Sequence, residues 1–147
     1  MSNTTSQFTV MAGRPPNGSS AMEGNFKQKA SPTATLIEGM VAAVEDESGV
    51  AVVDAMTAAA AAASPDYPWL IIEGMDQWDA TTVNKVTCLS MKSGLIFKVD
   101  TAISVAVGDL VYPNAGVLTK LIGSADKQSV GQVIDVNSTA GYIVVAT

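Results

Sequence analysis

Apolar and polar residues alternate in short runs over most of this chain, and turn-forming residues punctuate the runs. Leu95, Phe97 and Val99 alternate with Ile96, Lys98 and Asp100, the period-two pattern of a half-buried strand. Residues 108–112 and 117–120 flank Asn114-Ala115-Gly116, which predicts a hairpin with a tight turn. Residues 130–136 and 142–146, separated by 137–141, predict a second. Residues 36–44 and 50–54 flank Glu45-Asp46-Glu47-Ser48-Gly49, read as a hairpin with a five-residue charged loop. Residues 83–89 and 95–100 around Ser90-Met91-Lys92-Ser93-Gly94 make a further hairpin candidate. A short strand is expected over 70–73. The six alanines 58–63, closed by Ser64-Pro65, predict a short helix or a small-residue loop. The expected fold is all-β: a small antiparallel barrel or sandwich.

The first third of the chain differs from the rest. Arg14-Pro15-Pro16-Asn17-Gly18-Ser19-Ser20 cannot be helical, because proline removes a donor and biases its neighbour toward extended backbone. Gly, Ser, Asn and Gln continue as far as Pro32. Residues 1–33 are therefore read as an extended N-terminal arm and 34–147 as the β-domain. A purely solvating tail is the alternative, but Phe8, Val10, Met11 and Phe26 are apolar anchors that such a tail does not need. One internal echo joins the parts of the body: Leu36-Ile37-Glu38-Gly39-Met40 resembles Ile71-Ile72-Glu73-Gly74-Met75. A single echo is too little for a repeat architecture.

Composition narrows the chemistry. The 147 residues hold no histidine and one cysteine, Cys88. The commonest general base and the commonest metal ligand are thus missing. An intrachain disulfide is impossible, and Cys88, inside an apolar run, reads as a small buried hydrophobe. No phosphate loop, dinucleotide fingerprint, CxxC or HExxH motif occurs. No catalytic residue, cofactor or metal is expected. The acidic triplet 45–47 lacks the ligand spacing of a calcium loop. Asp76 and Asp79 could pose as a glycosidase pair, but turn aspartates ordinarily satisfy backbone donors.

Charged residues make up 15% of the chain, low against the usual quarter. Fourteen acids against eight bases leave a net charge of −6, which argues against nucleic acid as the partner. The charge is uneven. Arg14, Lys27 and Lys29 oppose only Glu23 in residues 1–37, whereas five lysines face thirteen acids in the remainder. No apolar run reaches membrane-span length, and the N-terminus lacks a signal-peptide pattern, so cytoplasmic synthesis is expected. Tyr67, Trp69 and Trp78 lie within twelve residues. They could form a sugar-binding platform or cap one end of the core.

The C-terminal block carries a resemblance. Val107-Gly108-Asp109-Leu110-Val111-Tyr112, then Val117-Leu118-Thr119, Ser129-Val130-Gly131-Gln132-Val133-Ile134 and Gly141-Tyr142-Ile143-Val144-Val145 are similar to the small β-barrel capsid cement, or head decoration, proteins of tailed bacteriophages. The resemblance covers about the last third of the chain. It implies a structural virion protein on the capsid exterior, made in the host cytoplasm, with the major capsid protein as partner and a homotrimer as assembly. The arm would then supply contacts, with Phe8 and Phe26 in apolar pockets and Arg14, Lys27 and Lys29 on acidic surface. A tail, baseplate or fibre part, or a carbohydrate-binding module, remains the alternative.

Overall fold

A computed structural model describes residues 8–12, 23–57, 67–75, 85–101, 103–120 and 128–147. Its strands, in chain order, are β1 (Phe8–Ala12), β2 (Glu23–Gln28), β3 (Val41–Glu47), β4 (Val50–Ala55), β5 (Trp69–Glu73) and β6 (Val86–Ser90). They continue with β7 (Ile96–Asp100), β8 (Leu110–Asn114), β9 (Val117–Lys120), β10 (Gly131–Asn137) and β11 (Tyr142–Ala146). The fold is all-β and includes a small closed barrel of five strands, in the order β2-β4-β3-β5-β6. A six-stranded sheet, β1-β7-β11-β10-β8-β9, accompanies it. Pairing is antiparallel except between β2 and β4, which run parallel at Lys27–Val52 and Gln28–Val53.

Alternation sends the side chains of the barrel strands into two cores. Val41, Ala43, Leu70 and Leu89 join Phe97, Val99, Val111, Val133 and Val145 of the six-stranded sheet in one cluster. Their sequence neighbours Ala42, Ile71 and Cys88 point the other way, into a second cluster with Leu36, Met40, Val53, Met75 and Val86. Adjacent apolar residues in a strand are thus both buried, which explains why β3, β5 and β6 read as continuous apolar runs.

Two hairpins form at the expected places by the expected turn chemistry. Ala115 and Gly116 both adopt positive φ (48° and 82°) between β8 and β9, the pattern of a type I′ turn. The β10–β11 hairpin pairs Asn137 with Tyr142.

Three readings need correction. The acidic residues 45–47 are not a loop. They are the end of β3, paired with Val52, Ala51 and Val50. Ser48 and Gly49 alone make the turn, with φ of 53° and 83°, and Gly49 donates its N–H to Asp46 Oδ1 at 3.0 Å. A two-residue turn that matches strand twist outweighs the weak strand propensity of glutamate on a solvent-facing ribbon. Nor do residues 36–40 continue β3. Gly39 turns there with φ of 85°.

The hairpin expected between β6 and β7 does not form. Both edges of β6 are already taken, by β5 and β2, so no ladder remains for β7. The chain instead makes a 3-10 turn at Met91–Ser93 and crosses to the other sheet, where β7 lies between β1 and β11. Met91 is buried, so the turn is part of the core.

Two segments of the expected arm are strands of these sheets. β1 runs along the outer side of β7, with Phe8 opposite Val99 and Val10 opposite Phe97. β2 closes the barrel between β4 and β6. Period-two alternation across Gly24, Phe26 and Gln28 suits a closed barrel, which cannot form without a fifth strand there. The alanines 58–63 and residues 76–84 lie outside the described residues.

Candidate functional site

Chemistry-bearing side chains are best located by what already holds them. Asp54 is buried in β4, and its carboxylate is fully engaged. Oδ1 accepts the N–H of Thr33 at 2.8 Å and that of Ala55 at 2.8 Å, while Oδ2 accepts the Thr33 hydroxyl at 2.7 Å. Lys29 approaches Oδ2 at 3.9 Å and donates to Glu45 Oε2 at 2.7 Å. The hydrogen bond and charge of Glu45 hold the Lys29 ammonium above its ordinary pKa. Ala30 donates its N–H to Glu47 Oε2 at 3.1 Å. This network ties residues 29–33 to the β3–β4 hairpin, and a buried carboxylate with this many donors is a structural clamp.

Of the expected arm contacts, Lys29 is therefore spent within the chain. Phe26 is likewise engaged: its ring meets Trp69 edge-on at 5.3 Å between centroids. Lys27 is exposed. Phe8 sits in β1 and Arg14 lies outside the described residues. Of the expected aromatic platform, Trp69 is half-buried and its ring centroid lies 5.5 Å from that of Tyr67. Tyr67 is 45% exposed, hydrogen-bonds Ser90 through its hydroxyl, and carries Lys92 Nζ at 5.4 Å over its ring. Trp78, Asp76 and Asp79 lie outside the described residues. The structure thus joins Tyr67 and Trp69 to Phe26, a residue the sequence placed in a different role.

Cys88 is fully buried in β6 between Gly24 and Ile71. Burial pushes its thiol pKa up to about 12. The neutral form therefore dominates, and the thiolate that would attack is scarce. A thiol-reactive probe at about pH 8 is expected to label Cys88 only as fast as the protein unfolds, and at the free-thiol rate in denaturant. Rapid labelling of the native protein, followed by absorbance of the released probe, would contradict that burial. Among the described residues no cluster of three acids, cysteines or histidines is placed to hold a metal ion.

Sequence reasoning missed an apolar patch on the six-stranded sheet. Val107, Leu110 and Ile134 are 65%, 44% and 42% exposed. They fall on neighbouring rungs, because Leu110 pairs with Gln132 and Gly108 donates its N–H to the Val133 carbonyl at 2.8 Å. The signal lay in the adjacent pair Val133-Ile134. Strand alternation puts Val133 in the core and leaves Ile134 outside, on the face of Gln132. Beside the patch, Asp109 takes an ion pair from Lys120 at 2.9 Å and the Ala106 N–H at 2.8 Å. These bonds hold its carboxyl below the usual range, the backbone bond contributing most.

The site that emerges is a surface: an apolar patch on a sheet whose outer strands, β1 and β9, each pair with one strand among the described residues. No family model, no curated protein and no solved structure matches this chain.

Proposed function

We propose that this chain is a structural virion protein that coats the outside of a tailed-phage head, binds the major capsid protein and stabilises the expanded shell as a homotrimer. The observation that carries this reading is the patch of Val107, Leu110 and Ile134 on a sheet whose outer strands each pair with one strand among the described residues. Clustered exposed apolar residues mark association surfaces, and an open strand adds main-chain hydrogen bonds without specific chemistry. The C-terminal resemblance and the low charge point the same way. No catalytic role is assigned to any residue.

The test has two parts. Quantitative peptide mass spectrometry of purified particles is expected to find this chain near one to one, or one to a few, against the major shell protein. A few copies per particle would move it to the tail, baseplate or fibre, and absence would sink the virion reading. The double variant Leu110→Asp/Ile134→Asp is expected to lower particle occupancy by about tenfold or more, since each buried charge costs several kcal/mol at an interface. Its unfolding midpoint should stay put, because exposed positions move stability by only about 0.5 kcal/mol. Unchanged occupancy would remove the patch from the proposal. Deletion of residues 2–30, the obvious arm test, would also remove β2 and open the barrel, so it cannot report on binding.

The carbohydrate-binding alternative retains one observation, the exposed Tyr67 ring beside Trp69. Tryptophan fluorescence unchanged across a broad glycan panel would end it.

A further inference from the structure

The first two strands of the chain belong to different sheets. β1 is the outer strand of the six-stranded sheet, whereas β2 closes the barrel. The β1 ladder is short. Phe8, Thr9, Val10 and Ala12 stand opposite Val99, Lys98, Phe97 and Ile96 of β7, and the register shifts between Val10 and Ala12. On its other side β7 is paired with β11 without a shift, from Tyr142 opposite Asp100 to Ala146 opposite Ile96. The barrel has its five strands without β1, and β7-β11-β10-β8-β9 is a continuous order without it. β1 is thus a terminal strand added to two sheets whose other ladders do not pass through it.

Ten residues separate β1 from β2 in sequence, Gly13 to Met22. Pro15 and Pro16 bias their neighbours toward extended backbone, which opposes a tight return of the chain onto its own sheet. Fully extended, ten residues reach about 35 Å, enough to cross to a neighbouring copy. A ladder hydrogen bond contributes only about 0.5–1.5 kcal/mol net, so a five-residue terminal strand leaves its partner at small cost. The edge of β7 accepts Phe8–Ala12 in a defined register, and every further copy of this chain carries that same complement. Pairing from a neighbour would reproduce each rung, so only linker strain and association entropy separate the two arrangements.

We propose that β1 is exchanged between copies of this chain, residues 8–12 of one copy pairing with β7 of the next in the register of the single copy. Passed around a ring, the exchange builds a closed homo-oligomer without any new contact face. It goes beyond the virion reading and needs only copies of this chain. The test uses isolated protein, so its failure and the failure of that reading are told apart.

The test traps the ladder. Thr9 and Lys98 are facing positions, and facing residues of antiparallel strands lie about 4.5–5.5 Å apart at Cα, within disulfide range. Thr9→Cys and Lys98→Cys, made in separate full-length chains, are refolded together at about 1 mM, the effective concentration that a short linker supplies. After mild oxidation, a non-reducing denaturing gel is expected to show one copy of each variant joined. The buried Cys88 is present in every chain and serves as the common background. Thr9→Cys mixed with Lys92→Cys, an exposed position off the ladder, should give about tenfold less linked product or lower. The double variant Thr9→Cys/Lys98→Cys should run as covalent multiples, and unmodified protein should sediment as an oligomer at the same concentration. A double variant closed only within single copies would overturn the proposal. So would equal linking to Lys92→Cys, no disulfide in any mixture, or a single-copy mass for the unmodified chain.

Discussion

Phe97→Ala is expected to cost about 3–5 kcal/mol of unfolding free energy, the largest loss of any single truncation among the described residues. Phe97 is fully buried in β7 and stands opposite Val10 on one side and Val145 on the other. It shares its cluster with Leu70, Leu89, Met91 and Leu95, so one ring joins the six-stranded sheet to barrel residues. Removing it deletes the transfer free energy of the ring and leaves a cavity that a two-sheet interface cannot easily collapse. Urea unfolding should show a lower midpoint with an unchanged slope. Phe97→Leu, closer in volume, should recover most of the loss. A cost below about 1 kcal/mol for the alanine variant would mean that the sheet and the barrel do not share one core.

Gly74→Ala is expected to destabilise by about 1–3 kcal/mol or more, although it adds a single methyl group. A Cβ at Gly74 would sit 2.5 Å from Ile37 Cα and 2.5 Å from the Leu36 carbonyl oxygen. Both are main-chain atoms that cannot rotate away. The same approach carries the Met75 N–H to the Leu36 carbonyl at 2.7 Å. Relief of the clash would break that bond and pull residues 36–40 from the barrel. Chemical denaturation measures the loss, and amide exchange at Gly39 and Met75 should rise with it. An alanine variant as stable as the parent would show that the two segments do not touch.

That contact gives the sequence echo a physical meaning. Leu36 and Ile71 are both fully buried, and Met40 and Met75 are both nearly so. Gly39 donates to the Ile71 carbonyl at 2.9 Å, Ile71 to the Met40 carbonyl at 2.8 Å, and Met75 to Leu36. The two similar stretches hold one another, each supplying a buried apolar residue, a glycine and a methionine. The sequence showed the likeness but not that its halves meet.

Local chemistry was legible wherever a few consecutive residues decide the outcome. Period-two alternation located β7, and the Gly-containing turns located the β8–β9 and β10–β11 hairpins, because side-chain facing and positive φ are properties of neighbouring residues. The buried state of Cys88 followed in the same way from the apolar run around it. The candidate surface was less legible. Val107, Leu110 and Ile134 read as ordinary strand residues, and only the pairing of β8 with β10 sets Ile134 near Leu110. The intrachain contacts of Phe26 and Lys29, expected as partner contacts, were not legible, because Trp69 and Glu45 lie far along the chain.

The sequence by itself determined an all-β chain with a low charge, a lone inert thiol and hairpin turns at defined places. Tertiary structure alone decided which edges pair. β6 was already flanked by β2 and β5, so β7 crossed to the other sheet, and Glu23–Gln28 became the strand that closes the barrel. Strand identity rests on interactions a few residues long. Strand pairing rests on which donors and acceptors remain unsatisfied after every other strand has docked, and that depends on the whole chain at once.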